Sequence, residues 1–283
     1  MFREKYKTFH PCPDLLNSLS GTMTPADDFD GFLIDLDGVV WVGRELVPGA
    51  VDTLRSLLER GMEIAFVTNN PARPPAVYAE RLREAGVPVA DDRVVTAGIV
   101  TARLAAERLS GGGTAFAIGA PGFKQAVSDT GLELLDGEAA GEADAVLVSG
   151  HREFDYGELL AATLALQKGA ALFATSRDPT LPMPGGAWPG TGAVLAAVET
   201  ASGARAEIGG KPERHLFDEA RALLGDAERI AMVGDRIASD VEGGRRAGLA
   251  TILVLSGASS RAEAEATDPP PDLVLDDLSG LLR

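Results

Sequence analysis

Phe32-Leu33-Ile34-Asp35-Leu36-Asp37-Gly38 decides how this chain is read. An apolar run that ends in carboxylates and then glycine is the pattern of a buried strand handing acid groups to a loop. Residues two apart in extended chain lie on the same side, so Asp35 and Asp37 project together. Such a pair could supply a nucleophile or metal ligand together with a proton-transfer group. Aspartate before glycine is also ordinary turn chemistry, so the stretch gains meaning only from the rest of the chain.

Three further apolar runs end in polar residues. Ile64-Ala65-Phe66-Val67 ends in Thr68-Asn69-Asn70. Ile230-Ala231-Met232-Val233 ends in Gly234-Asp235-Arg236, with Asp240 soon after. Ala206-Glu207-Ile208 leads into Gly209-Gly210-Lys211-Pro212. Open α/β sheets bind ligands at the carboxyl ends of parallel strands. As parallel strands of one sheet, these runs would open Asp35, Asp37, Thr68 and Asp235 into one crevice. Lys211 would join from the start of a helix, with Pro212 in its first turn. Leu216, Phe217, Ala220, Leu223 and Leu224 recur at helical spacing behind it.

Each of these residue types has a use in phosphoryl transfer. Asp35 and Asp235 can hold Mg²⁺ through oxygen, which offsets repulsion between a carboxylate nucleophile and an anionic phosphate. Thr68 offers a hydroxyl and Asn69 a backbone N–H to phosphate oxygens. Lys211 adds positive charge, and Asp37 can protonate the leaving oxygen and later take a proton from water. Taken singly, Thr68 could cap a helix, Lys211 could be a solvated loop lysine and Asp235 a turn residue. Their joint arrival at strand ends argues for chemistry.

The order DLDG, TNN, GGKP and GDRIASD resembles the haloacid dehalogenase superfamily of phosphohydrolases, over about residues 30–283. The long stretch between TNN and GGKP resembles subfamily IIA, the branch with a large α/β cap inserted there. That branch holds nitrophenyl-phosphatase-like enzymes for phosphoglycolate, glycerol phosphate, pyridoxal phosphate and nucleotides. The resemblance implies an α/β fold, a Rossmann-like parallel-sheet core with an inserted α/β cap, and Mg²⁺ as cofactor. It implies Asp35 as the nucleophile that forms an aspartyl-phosphate. Asp37 would be the general acid/base and would bind the metal through its backbone carbonyl. Thr68, Asn69 and Lys211 would bind phosphate. Asp235 would complete the metal site with Asp35 and Asp37, and Asp240 would orient it from one layer out.

Composition sets limits. The chain has 283 residues, 45% of them hydrophobic, and a formal net charge of −16. That charge argues against nucleic acid as a partner; the expected partner is a small phosphate ester. The single cysteine, Cys12, excludes an intramolecular disulfide and a zinc–cysteine cluster, and a reducing cytoplasm is the simplest compartment. No apolar stretch is long enough for a membrane span, and no signal-peptide run follows Arg3 and Lys5. His10, His151 and His215 are too scattered for a metal site. Residues 1–29 read as a poorly ordered extension, with Met23 as an alternative start.

Elsewhere strand-like and helix-like segments alternate. Gly111-Gly112-Gly113 and Ala201-Ser202-Gly203 are hinge candidates. They bound a cap of 111–203 and leave a catalytic core of 30–110 and 204–283. A homodimer through that cap stays open. Substrate choice is expected in the proline-rich loop from Thr175 to Gly190. Arg177 there could grip a substrate carboxylate, and Trp188 reads as packing. The family often has Asn where this chain has Ser176. Its pyridoxal-phosphate phosphatases tend to carry His where this chain has Leu181, which favours glycerol-phosphate or phosphoglycolate-like substrates. Pyridoxal phosphate and nucleoside monophosphates are the alternatives. A phosphotransferase or mutase on the same site, and a phospho-acceptor signalling domain, are the rival functions. A haloacid dehalogenase proper needs neither Asp235 nor Asp37.

Overall fold

The computed structural model describes residues 23–183 and 186–283. After a 3-10 turn at Pro25–Asp28 come β1 (Gly31–Asp35), a small hairpin of β2 (Trp41–Val42) and β3 (Glu45–Leu46), α1 (Ala50–Glu59), β4 (Glu63–Thr68), α2 (Pro75–Glu84), β5 (Val94–Thr96) and α3 (Ala97–Arg108). Next are β6 (Thr114–Ile118), α4 (Pro121–Ser128), β7 (Glu133–Leu134), β8 (Ala145–Val148), α5 (Tyr156–Gln167) and β9 (Ala171–Ala174). A hairpin of β10 (Thr180–Met183) and β11 (Gly186–Pro189) precedes α6 (Thr191–Ser202) and β12 (Glu207–Ile208). The chain closes with α7 (Arg214–Ala222), β13 (Ile230–Gly234), a π turn at Ile237–Val241, α8 (Glu242–Arg246), β14 (Ala250–Val254), α9 (Arg261–Ala266) and β15 (Leu273–Leu275).

The chain divides into two compact units. Among the described residues, one comprises 23–66 with Leu82–Val89 and Ala220–Arg283; the other comprises Val67–Arg81 and Ala90–Glu219. A six-stranded sheet has the order β15-β14-β13-β1-β4-β5, and β4 leaves the first unit at Phe66. Its β1, β13 and β14 are buried along their whole length and pair in parallel, with Leu33 beside Met232 and Met232 beside Thr251. Parallel strands covered on both faces read as unbroken apolar runs, and these do. In α1 the buried Ala50, Thr53, Leu54 and Leu57 share one face, and Asp52 sits in the first turn, where the helix dipole favours an acid.

The start of this unit differs from the expected loose extension. Asp27 accepts hydrogen bonds from the Thr24 N–H and hydroxyl, Ala26 is buried, and Asp30 is bound by the Arg229 guanidinium and backbone. These ties order the chain from Thr24 onward. Residues 1–22, with His10 and Cys12, lie outside the described residues.

The second unit holds a five-stranded sheet of order β12-β9-β8-β6-β7, parallel throughout. Its two faces alternate along the strands, as a pleat requires. Phe116, Ile118, Val146 and Val148 join a core with Ala162, Ala165, Leu195 and Val198 of α5 and α6. Ala115, Ala117, Ala145 and Leu147 face the other way, with Ala102 and Ala105 of α3 and Phe123 and Val127 of α4. Gly111, Gly113 and Gly203 occupy turns with positive φ. The compact unit extends on either side of 111–203, because α3 packs on this sheet and β12 is part of it.

The placement of β12 corrects the expectation of one common sheet. Glu207 and Ile208 pair with Phe173 and Ala174 of β9. The connection through α6, which packs on this sheet, returns the chain to its edge. Pro212 also lies ahead of the helix: α7 begins at Arg214, and Lys211 and Pro212 form a turn.

Candidate active site

In the first unit, Asp35 is the last residue of β1, and Asp235 follows β13, its neighbour in the sheet. The π turn carries Asp240 back toward Asp235. Ligand oxygens of Asp35, Asp235 and Asp240 all lie within 4.8 Å of one another, and all three residues are buried. Asp235 Oδ2 accepts a hydrogen bond from Ala258 N–H at 2.7 Å, and Asp240 Oδ2 accepts one from Arg236 N–H at 2.9 Å. The chain closes tightly around the cluster. A Cβ on Gly38 would stand 2.3 Å from Asp235 Oδ2, and one on Gly257 would stand 2.1 Å from it. Gly38 also has φ of +92°, which glycine adopts without a steric penalty.

Asp37 is not part of this carboxylate cluster. Its carboxylate accepts the Trp41 indole N–H at 3.1 Å. The Ser256 hydroxyl donates to Gly38 O at 2.7 Å. Ser256, Gly257 and Ala258 thus frame the acids, although no sequence motif singled them out. Their signal is the same as that of the others: β14 is an apolar run, and Leu255-Ser256-Gly257 follows it.

In the second unit, Thr68 ends β4 and is buried. Its hydroxyl accepts from Asn70 N–H at 3.0 Å, which leaves its proton for another acceptor. Lys211 is buried at 2% exposure. The Asn69 side chain faces the Lys211 backbone, accepting from its N–H at 2.8 Å and donating to its carbonyl at 3.0 Å. The same Asn69 amide donates to Asp178 Oδ2 at 3.0 Å. No local sequence pattern points to Asp178, because its partner lies 109 residues away.

Arg177 is engaged within this unit. Its guanidinium forms a two-pronged pair with Glu199, at 3.0 and 2.8 Å. Hydrogen bonding by Arg177 holds the Glu199 carboxyl at about 2, well below its ordinary 4.5. The edge of Arg177 that would meet a substrate carboxylate is the edge that Glu199 occupies. Leu181 is exposed on the β10–β11 hairpin, directly across from Trp188. Trp188 is half-exposed and not a packing residue; the Arg152 guanidinium lies 4.5 Å over its ring.

Three buried carboxylates in one cluster are a poor arrangement without a cation, because like charges at this range repel. Their hard oxygen donors suit Mg²⁺ or Ca²⁺.

A haloacid dehalogenase-like hydrolase profile matches residues 32–133, and a HAD-hydrolase-like profile matches residues 208–281. The chain belongs to the haloacid dehalogenase superfamily of hydrolases, as a phosphatase. It is 32% identical over 252 residues to a 5′-nucleotidase of Bacillus subtilis, covering 89% of this chain and 96% of that one. It is 32% identical over 257 residues to an acid sugar phosphatase of Staphylococcus saprophyticus, covering 90% and 98%. A glycerol phosphate phosphatase from Mycobacterium tuberculosis, solved in complex with magnesium, superposes with a TM-score of 0.83 at 34% identity, covering 92% of this chain and 78% of that one. Among the described residues no helix is long and apolar enough to cross a membrane.

Proposed function

We propose that this superfamily member hydrolyses small phosphate monoesters with Mg²⁺, through an aspartyl-phosphate on Asp35. The buried cluster of Asp35, Asp235 and Asp240 at the ends of neighbouring strands carries the proposal. Asp35, Asp235 and the Asp37 backbone carbonyl would hold the cation, with Asp240 beside them. A cation bound there would offset the repulsion between the carboxylates and an anionic phosphate. An Asp35 carboxylate oxygen attacks phosphorus, and the bond from phosphorus to the leaving oxygen breaks as Asp37 gives that oxygen its proton. Water then attacks the phospho-Asp35, Asp37 takes its proton, and phosphate leaves. Thr68, the Asn69 backbone N–H and Lys211 bind the transferred group.

The relatives bear three different substrate names at nearly equal identity, so overall similarity does not rank substrates. Leu181 lacks the nitrogen or oxygen needed to pair with a pyridine ring, which supports glycerol-phosphate- or phosphoglycolate-like substrates over pyridoxal phosphate. The test is phosphate release from glycerol phosphate, phosphoglycolate, pyridoxal phosphate, nucleoside monophosphates, sugar phosphates and nitrophenyl phosphate, with and without Mg²⁺. Mg²⁺-dependent release, greatest for the small aliphatic esters, is expected. No Mg²⁺-dependent release from any of them would end the proposal, and phosphoryl transfer to a sugar hydroxyl in preference to water would replace it with a transferase.

A further inference from the structure

The Asn69 side chain is fully committed inside the second unit. Its carbonyl oxygen accepts the Lys211 N–H at 2.8 Å, and its amide nitrogen donates to Lys211 O at 3.0 Å and Asp178 Oδ2 at 3.0 Å. One acceptor bond and two donor bonds use the oxygen and both amide protons. Only one orientation of the amide serves all three partners, because a backbone N–H demands the oxygen and a backbone carbonyl demands the nitrogen. The fit is close: a Cβ on Gly210 would stand 2.5 Å from Asn69 Oδ1 and 2.2 Å from Thr175 O. Asp178 is itself pinned, since its backbone carbonyl accepts Gly192 N–H at 2.9 Å in the first turn of α6.

We infer that Asn69 and Asp178 are positioning residues for Lys211. Asn69 clamps the backbone of the lysine, and the Asp178 carboxylate fixes the clamp, which ties the loop after β9 to the phosphate-binding lysine. The side chain of Asn69 does not itself bind the phosphate. Asparagine alone fits this role. Aspartate in its place would lose both donor bonds and set a second carboxylate against Asp178, and glutamine is one methylene too long for the two-point grip. The inference rests on the phosphatase proposal for what Lys211 does, not for how it is held.

The test is a double-mutant cycle in the full-length protein with Mg²⁺, using nitrophenyl phosphate as substrate and inorganic phosphate as competitive inhibitor. Lys211→Met alone should weaken phosphate inhibition and lower kcat/KM. Asn69→Ala should do the same by roughly 10–100-fold. Added to Lys211→Met, Asn69→Ala should cost almost nothing more, because its effect passes through the lysine. Multiplying losses would show that the Asn69 side chain meets the phosphate directly and would overturn the inference. Asp178→Ala should cost about tenfold, and Asp178→Asn should recover much of that loss, since its amide oxygen can accept the same bond. Equal losses in the two would remove Asp178 from the clamp. If Asn69→Ala does not fold, the Asp178→Ala and Lys211→Met cycle carries the same decision. Unchanged phosphate inhibition in Lys211→Met would instead defeat the role assigned to the lysine, and an unchanged Asn69→Ala would defeat the clamp.

Discussion

Asp35 and Asp235 are far apart in sequence, but they meet because they end adjacent parallel strands, and Asp240 joins them through one π turn. Lys211 is held to Asn69 across 142 residues, and Asn69 to Asp178 across 109. The acids are placed by strand geometry and by glycines that let the backbone close on them. The lysine is placed by side-chain hydrogen bonds. One arrangement should fail through charge and crowding, the other through lost directionality.

The largest effect is expected at the acids. Asp35→Asn should lower turnover of nitrophenyl phosphate below about one part in a thousand of the native rate. It should also raise the thermal stability of the metal-free protein, because one of three clustered charges is gone, and reduce the stabilisation that Mg²⁺ gives. Melting curves with and without Mg²⁺ check this; a metal-free variant less stable than the native chain would mean the carboxylates do not repel. Asp37→Asn, outside the cluster, should cut turnover about 10²–10⁴-fold without changing the Mg²⁺ requirement for stability. Its deficit should shrink for nitrophenyl phosphate relative to glycerol phosphate, since nitrophenolate leaves without a proton. Equal losses on both would show that Asp37 is not the acid.

Crowding gives a smaller effect. Gly257→Ala places a methyl group against Asp235 Oδ2, and it should raise the Mg²⁺ concentration for half activation about 10–100-fold. Unchanged activation would mean that Asp235 can move away without loss. Hydrogen bonding alone is tested at Glu199. Its folded carboxyl titrates near 2 and its ordinary value is 4.5, so its stabilisation is complete above about 4.5 and is lost as pH falls toward 2. The half-exposed Arg177 limits the contribution to about 1–2 kcal/mol. Glu199→Gln should remove that part of the acid destabilisation, visible as a flatter dependence of melting temperature on pH in this window. A wild-type slope would show that the pair contributes nothing net. Smallest of all, Leu181→His should shift the ratio of pyridoxal phosphate to glycerol phosphate turnover by less than about tenfold. An unchanged ratio would move substrate choice away from this hairpin.

The acids were legible in the sequence because their placement is local. An apolar run buried on both faces sets a parallel strand, and the first polar residues after it stand at its carboxyl end; β1, β4, β13 and their terminal residues follow from that rule. Helical spacing likewise marked Leu216, Phe217 and Ala220, which α7 carries. Pairing partners carry no local signature. β12 looked like the other strands, yet it joins β9, because α6 carries the chain back across the second sheet. Asp240 came inside the carboxylate cluster through the shape of one π turn. Arg177, read as a ligand for substrate, found Glu199 instead, and Asn69 found Asp178 and Lys211. Periodicity and residue type determine what a segment becomes and which end of it bears the chemistry; hydrogen-bond partners distant in sequence exist only once the unit that holds them has folded and desolvation obliges each buried polar group to find one.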